Sequence, residues 1–246
     1  MKKIAAATAI LIALVAALFC FLPTFAENPG HRAQKPAADQ QKAEEKSPPD
    51  TDPPRTDEKC VYLTFDDGPT DSVTPKILDV LAREKVPATF FVIGQQIKNR
   101  EKILQREADE GHAIGIHTYT HIYSQIYSSA EALTSDIEKC RQAIRAVLPT
   151  FDGKIYRFPG GSYGKQDLPD TVRALGYTYY DWNAATGDAE AHRSAAELFE
   201  NAVLSSKEKR QVILLMHDGV GYASTIEALP QIIKYYRENG YTFRTL

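Results

Sequence analysis

The amino-acid sequence predicts an α/β fold, namely a small, distorted or incomplete (β/α) barrel with about seven parallel strands. From Cys60 onward, short runs of β-branched, aliphatic and aromatic residues alternate with helical patterns. Strands that alternate with helices are typical of a parallel sheet. The stretch 60–246 has room for about seven strand–helix units, fewer than the eight of a complete barrel. A flat, doubly wound sheet is the alternative fold.

Seven segments have the composition of buried strands. In chain order they are 60–65, 88–93, 112–116, 154–158, 177–182, 211–216 and 241–244. Helix starts between them are predicted at Ser72, Ser128 and Ser194. The first combines a hydroxyl cap with a proline in the first turn, and the other two have the spacing of a capping box.

Residues 1–26 have the features of an export signal peptide or an N-terminal membrane anchor. Lys2 and Lys3 precede an apolar run over 4–22, and the small residues Thr24 and Ala26 follow it. This order is typical of a signal peptide, but the run approaches the ~20 residues of a spanning helix. In both cases we expect the remaining chain to be extracellular, in the cell wall or at the outer face of the cytoplasmic membrane.

Residues 27–58 contain no valine, isoleucine, leucine, phenylalanine, tyrosine or tryptophan. Such a segment buries too little apolar surface to fold, so we predict a disordered linker before a catalytic domain at 59–246. The net charge of the chain is −3. A nucleic-acid-binding protein would have an excess of basic residues, so we expect no nucleic-acid partner. We also expect a monomer. Cys60 and Cys140 are either a disulfide pair or two small buried residues.

Polar residues lie at the end of five of the predicted strands or directly after it. Because the C-terminal ends of parallel strands meet at one face of a barrel, where active sites are built, we expect one shared pocket. These residues are Asp66 and Asp67, His117 and His121, Arg157, Trp182 and Asp188, and His217 and Asp218.

This set of side chains has the composition of a hydrolytic metal site. His117 and His121 are four residues apart and reach one ion if the segment turns helically. Two histidines and one carboxylate suit catalytic zinc with open coordination positions, although iron, cobalt and nickel accept the same ligands. Adjacent Asp66 and Asp67 point in different directions, so one can bind the metal while the other accepts a proton. His217 is either a core histidine or a general acid.

Four motifs follow one another along the chain: TFDDGP at 64–69, HTYTH at 117–121, RFPGG at 157–161 and LMH at 215–217. With them the chain resembles the polysaccharide deacetylases of carbohydrate esterase family four, over 59–246. The resemblance implies metal-dependent removal of N-acetyl groups from an amino-sugar polymer, which we expect to be N-acetylglucosamine of peptidoglycan. Muramic acid, chitooligosaccharide, exopolysaccharide and xylan are alternative substrates. A non-catalytic glycan-binding module and a metal-dependent oxygenase are rivals of another class.

The resemblance implies a role for each matched residue. Asp67, His117 and His121 would hold one divalent metal, usually zinc, with cobalt or another transition metal as alternatives. Asp66 would be the general base, oriented by Arg157. His217 would protonate the departing amine, and Asp188 would orient it or support Arg157. The substrate contacts are Pro159, Gly160 through its backbone N–H, Trp182, and Leu215 beside the acetyl methyl.

Two positions depart from the family pattern. Gly160 stands where an aromatic residue often follows the proline, so we expect one wall of the groove to be lost. Ala189 stands where tryptophan often follows the aspartate, and Trp182 is a candidate to fill that space. Four tyrosines near the rim either stack on sugar rings or serve packing: Tyr119, Tyr123, Tyr163 and Tyr222.

Overall fold

The computed structural model of the protein describes residues 57–190 and 192–246. The predicted signal or anchor at 1–26, and the predicted linker up to residue 56, lie outside these residues. Within them, none of the helices has both the length and the apolar character needed to cross a membrane.

The strands are β1 Cys60–Asp66, β2 Thr89–Ile93, β3 Ala113–Thr118, β4 Ile155–Tyr156, β5 Thr178–Tyr179, β6 Ala184–Ala185, β7 Gln211–His217 and β8 Thr242–Arg244. The helices are α1 Thr74–Glu84, α2 Gly94–Ile97, α3 Glu101–Asp109, α4 Tyr123–Ile126, α5 Ala130–Val147, α6 Leu168–Ala174, α7 Ala195–Ser206 and α8 Ala223–Glu238.

The strands form one parallel sheet in the order β5-β4-β3-β2-β1-β7-β6, and β8 pairs with the first half of β1. The sheet does not close into a complete barrel, because β5 and β6 lie at its two ends. These two strands are nevertheless consecutive in the chain. The prediction of an incomplete barrel with about seven parallel strands is therefore confirmed. Strand β6 was missed, because two alanines have neither the length nor the β-branched character that predicts a strand.

Side chains of β1 alternate between two buried layers, as the two-residue period of a strand requires. Val61, Leu63 and Phe65 pack in the main core with the helices, and each is fully buried. Burial of each such side chain contributes about 1.5–3 kcal/mol to folding. Cys60 and Tyr62 face the other way and pack with Ile213 of β7. That inner layer is small, so the sheet curves around a few side chains and not around a second helix layer.

Of the three predicted helix starts, one has the predicted cap, one is shifted by a residue and lacks the predicted capping box, and one is wrong. Ser194 and Glu197 form a complete capping box on α7. Helix α5 is capped by Ser129, one residue later than predicted. The predicted hydroxyl cap at Ser72 is wrong, because α1 begins after Val73 without a side-chain cap.

The two cysteines of the folded part lie in separate elements. Cys60 opens β1 and Cys140 lies on α5, and both are completely buried. No disulfide bond joins them in the part of the chain that the structure describes. The Cys140 thiol contacts the Val92 carbonyl at 3.6 Å, and burial raises the pKa of this thiol. The interpretation as two small buried residues therefore holds.

Candidate active site

Strand register brings the polar strand ends to one edge of the sheet. Asp66, the last residue of β1, is paired with His217, the last residue of β7. Arg157 follows β4, and its backbone N–H donates to the Ile116 carbonyl at 3.0 Å, which sets it beside His117. The carboxylate, the imidazoles and the guanidinium therefore meet because parallel strands end at the same level.

Asp66 is held by a guanidinium that is itself fully buried. Arg157 Nη1 lies 3.0 Å from Asp66 Oδ1 and donates to Thr64 Oγ1 at 2.7 Å. Its Nε and Nη2 donate to the Tyr180 and Asp181 carbonyls at 2.9 and 3.1 Å. With Oδ1 engaged in this way, Oδ2 is the oxygen of Asp66 that remains to accept a proton.

The loop that carries the two aspartates rests on a third, fully buried aspartate. The Asp218 backbone N–H donates to the Asp66 carbonyl at 2.9 Å, and Thr74 Oγ1 donates to Asp218 Oδ2 at 2.6 Å. A Cβ on Gly68 would lie 2.0 Å from Asp218 Oδ2, so only glycine allows this approach. Burial, followed by the charges of Asp67 and Asp66, raises the pKa of Asp218 to about 7. Asp218 therefore holds this loop in place. It does not line the neighbouring cavity, which Asp66 and Asp67 do line.

Asp67, His117 and His121 form a cluster with the geometry of a metal site. Asp67 Oδ1 lies 3.5 Å from His117 Nε2 and 3.3 Å from His121 Nε2. Around a tetrahedral ion with bonds of ~2.1 Å, ligand atoms are ~3.4 Å apart, so these distances fit. Asp67 Oδ1 is buried and accepts no hydrogen bond from the described residues. An unpaired buried carboxylate oxygen between two imidazoles is best satisfied by a cation.

The protonation state of His117 suits a ligand. Its Nδ1 lies 2.8 Å from the Arg157 carbonyl, which can only accept, so Nδ1 carries the proton and Nε2 has a free lone pair. Burial lowers the pKa of this imidazole, against the opposing charges of Asp66 and Asp67. A neutral imidazole is the form that binds metal ions.

The segment that carries His121 is a bend after β3, so the two histidines approach one another without a helical turn over 117–121. His121 has a φ of 58°, in the left-handed region that non-glycine residues rarely adopt. The buried carboxylate of Asp136 on α5 holds the bend, because it accepts from Thr118 Oγ1 at 2.6 Å and from the Tyr119 and Thr120 N–H groups at 2.7 and 3.2 Å. The bend brings His121 back to Asp67, as the helical turn was expected to do.

Asp188 holds the imidazole of His217 in a fixed orientation. Its Nδ1 donates to Asp188 Oδ1 at 2.8 Å, and its backbone N–H donates to Asp188 Oδ2 at 2.8 Å. Thr225 on α8 also donates to Oδ2, at 2.9 Å. Burial disfavours the imidazolium, but the hydrogen bond and charge of Asp188, followed by Asp66 and Asp67, outweigh burial and raise the pKa of His217 to about 9. Asp188 therefore contacts His217, while the Tyr180 and Asp181 carbonyls support Arg157.

A cavity of about 370 Å³ opens over these groups. Of the four predicted substrate contacts, Gly160, Trp182 and Leu215 line it, whereas Pro159 is buried and does not. Arg157 also stays beneath the surface of the cavity. The residues with side chains or backbone on its wall are Asp66, Asp67, His117, His121, Tyr123, Gly160, Trp182, Ala185, Gly187, Asp188, Ala189, Glu190, Leu215, His217 and Tyr222.

The wall that was expected to be lost at Gly160 is present, because another residue supplies it. A Cβ on Gly160 would lie 3.0 Å from the Tyr123 hydroxyl and 3.2 Å from its ring. Tyr123 on α4 therefore fills the space that an aromatic side chain at 160 would need. Trp182 lies on the same side: its indole faces the Arg157 guanidinium at 5.9 Å and would contact a Cβ on Gly161 at 3.4 Å.

Several groups of the site were not identified from the sequence. Asp136 carried one signal, since it is a charge on the buried stripe of α5 between Leu133 and Ile137. Asp218 was recognised only as part of a polar cluster at a strand end. Tyr123 was one of several rim aromatics, and Thr225 had no distinguishing signal. Each acts through a contact between elements that are far apart in sequence.

The arrangement has the parts of a hydrolytic centre. It combines a candidate cation site, a carboxylate oxygen free to accept a proton, and an imidazole that holds its proton at neutral pH. A carboxylate and a protonated imidazole that line one cavity are typical of acid–base chemistry. The exposed Gly160 also lines the cavity, and its backbone N–H is the only donor that a glycine can offer.

Comparison with known proteins gives a consistent result. The family model described as polysaccharide deacetylase matches residues 54–180. The muramic acid deacetylase of peptidoglycan, PdaA, from Bacillus subtilis is 30% identical over 191 residues, which are 78% of this chain and 71% of the relative. A peptidoglycan N-acetylglucosamine deacetylase from Bacillus cereus is 33% identical over 192 residues, with 75% and 68% covered.

A solved structure has the same fold. The CE4 esterase of Streptococcus mutans superimposes with a TM-score of 0.73 at 38% sequence identity. The match covers 77% of this chain and 87% of that chain. The open parallel barrel therefore has an experimental counterpart.

Proposed function

Since the chain belongs to the polysaccharide deacetylase family and is a hydrolase of acetylated sugars, we propose that it is a metal-dependent deacetylase of N-acetylglucosamine units in peptidoglycan. The observation that carries the proposal is the cluster of Asp67, His117 and His121 beside Asp66, with His217 across the cavity. A binding module would not need a proton acceptor and a proton donor around a cation site.

Asp67, His117 and His121 would hold one divalent cation, for which zinc is our first choice and cobalt our second. Two neutral imidazoles and one carboxylate are the ligands of many catalytic zinc sites. When bound, the ion supplies Lewis acidity to the acetamide carbonyl and lowers the pKa of water.

The residues of the chain would divide the remaining chemistry among them. Asp66 Oδ2 takes the proton of the attacking water, while Arg157 keeps Oδ1 and fixes the carboxylate. The Gly160 N–H faces the oxygen that gains negative charge. His217 then gives its proton to the departing nitrogen, and the Asp188 contact to Nδ1 leaves Nε2 for this transfer. Acetate and a free amine are the products.

The choice of substrate rests on the cavity and on the relatives. Leu215 is 8% exposed and lines the cavity, so it offers an apolar contact to the acetyl methyl worth about 1 kcal/mol. The Bacillus cereus relative is named for N-acetylglucosamine and the Bacillus subtilis relative for muramic acid. Chitin oligomers and acetylated xylan remain competing substrates.

The N-terminal sequence supports a location outside the cytoplasm. Residues 1–26 would direct export as a cleaved signal or remain as an anchor, and 27–58 would link this segment to the catalytic domain. A monomeric domain that faces the wall would reach peptidoglycan from the outer side of the cytoplasmic membrane.

We expect the full-length protein, once reloaded with zinc or cobalt, to release acetate from peptidoglycan. Asp67→Ala should reduce this release to the level of the metal-free protein, because one of three ligands is lost. Acetate is measured together with bound metal, on peptidoglycan, chitin oligomers and acetylated xylan. The relative rates identify the substrate.

Asp71→Ala is the matched control, since Asp71 lies on the same loop but is exposed and pairs with Arg100. It should keep both metal and activity. Metal binding without acetate from any of the three polymers would contradict the catalytic proposal and leave a glycan-binding module.

Replacing Asp188 by asparagine is expected to move the alkaline limb of the pH–activity profile to lower pH. A general acid must be protonated, so activity is lost as the pH rises through the pKa of His217, about 9. The variant keeps the burial that disfavours the imidazolium but loses the charge of Asp188. The measurement is kcat/KM against pH for both proteins, with Asp71→Asn as the control. An alkaline limb that does not move would show that His217 is not the group that titrates.

A further inference from the structure

The side chain of Tyr123 forms the part of the catalytic cavity wall that joins the candidate cation site to Gly160. Its ring packs against the imidazole of His121 at an angle of 69°, with the ring centroids 5.4 Å apart. Its hydroxyl lies 3.0 Å from the point where a Cβ on Gly160 would stand. The phenol therefore begins beside a candidate metal ligand and ends beside the glycine whose N–H is the proposed donor to the oxyanion.

The Tyr123 hydroxyl and the Gly160 N–H are both available to a substrate. Neither donates a hydrogen bond within the part of the chain that the structure describes, whereas the next N–H, that of Gly161, donates to the Phe158 carbonyl at 2.8 Å. A tyrosine hydroxyl carries its proton at neutral pH and can donate it to a hydrogen bond. Two available donors on one wall of a cavity are suited to an oxygen that gains negative charge.

A second tyrosine holds Tyr123 in place. The ring of Tyr127 packs against the Tyr123 ring with the centroids 5.6 Å apart, and the Tyr127 hydroxyl donates to the Pro159 carbonyl at 2.8 Å. Because Pro159 directly precedes Gly160, this contact connects the end of α4 to the turn that carries the N–H. Donors that are positioned before the reaction need no reorganisation when charge develops, and this is what makes them effective.

We propose that the Tyr123 hydroxyl is a catalytic hydrogen-bond donor that binds the acetamide oxygen together with the Gly160 N–H. When water attacks, its oxygen bonds to the carbonyl carbon, its proton goes to Asp66, and one electron pair of the C=O bond moves to the acetamide oxygen. Tyr123 stabilises the charge on that oxygen and keeps its own proton. The electron pair then re-forms the C=O bond, the C–N bond breaks, and the nitrogen takes the proton of His217. The inference rests on the proposed function, because it adds a residue to the same site.

The first test removes the hydroxyl and keeps the ring. In the full-length protein loaded with zinc, we expect Tyr123→Phe to lower kcat for N-acetylglucosamine oligomers about 10²-fold, the usual loss for one oxyanion donor. KM should stay near its wild-type value, because the hydrogen bond strengthens mainly in the transition state. Tyr235→Phe is the matched control, since it removes the same atom from a ring on α8 that packs against Phe199 and does not line the cavity. A normal kcat for Tyr123→Phe, with a loss only for Tyr123→Ala, would make Tyr123 a packing residue and overturn the proposal.

A binding measurement separates this inference from the proposed function. The ligand is an N-acetylglucosamine oligomer in which a methylphosphonamidate replaces one acetamide, because its tetrahedral, negatively charged group resembles the attacked carbonyl. We expect Tyr123→Phe to weaken binding of this analogue about 10²-fold, as for kcat. Binding of the unmodified oligomer should be the same for Asp66→Asn with and without Tyr123→Phe.

The possible outcomes decide between the two proposals. Weaker analogue binding by Tyr123→Phe supports the donor even if no polymer releases acetate, a result that would contradict the deacetylase alone. Acetate release together with equal affinity of both proteins for the analogue overturns the donor and leaves the deacetylase intact. A wild-type protein that neither releases acetate nor binds the analogue overturns both.

Discussion

Asp66→Asn is expected to lower kcat by about 10²- to 10⁴-fold, the usual contribution of a general base. An asparagine of the same size can still accept the hydrogen bond from Arg157 Nη1, which lies 3.0 Å from Oδ1. It cannot take a proton at the position of Oδ2. Substrate affinity should change little, because the cavity keeps its shape.

Asp67, the next residue in the chain, provides the comparison for this prediction. Asp67 Oδ1 lies within 3.5 Å of both imidazoles, whereas the nearest approach of Asp66 is 4.0 Å, to His117. Asp66→Asn should therefore retain bound metal, and Asp67→Asn should lose it. Both variants are checked for folding by circular dichroism, and metal content and acetate release are measured on the same samples. Loss of metal from Asp66→Asn would make Asp66 a ligand and contradict its assignment as the base.

The two adjacent aspartates show why sequence alone predicted so much of the site. Strand ends are local features, and in a parallel sheet they meet at one edge, so Asp66 and His217 could be brought together from the strand pattern. The same reasoning gave the fold class. It depended only on alternating apolar runs and on the number of strand–helix units that the chain can hold.

The groups that the sequence did not predict are held by contacts between distant elements. Asp136 acts from α5 on the bend at His121, and Asp218 acts from the end of β7 on Gly68. Tyr123 lies against Gly160, which is 37 positions further along the chain. No local pattern encodes such contacts, because each depends on the path of both segments through space.

The largest expected effect on stability belongs to Arg157. Arg157→Met removes a buried guanidinium and leaves Asp66, which is 3% exposed, without its partner. Breaking one side of a buried ion pair costs about 3–5 kcal/mol, mainly because the remaining charge stays desolvated. The Tyr180 and Asp181 carbonyls also lose their donor. Folded domains have about 5–15 kcal/mol in total, so we expect a variant that folds only at low temperature.

A double-mutant cycle identifies the source of this loss. If the unpaired charge dominates, Arg157→Met should cost about 1–3 kcal/mol less in a protein that already carries Asp66→Asn. The free energy of unfolding is measured by urea titration in the cold, with metal chelated so that binding does not shift the equilibrium. If Arg157→Met does not fold, Arg157→Lys is measured in its place. The lysine ammonium keeps the positive charge but loses the planar set of N–H donors of the guanidinium. An equal cost in both backgrounds would mean that Arg157 stabilises the barrel through its packing on Phe91, whose ring lies 4.2 Å from the guanidinium, and through the two carbonyls. In that case the strand register would hold Asp66 in place. The ion pair with Arg157 would then contribute only the orientation of the Asp66 carboxylate.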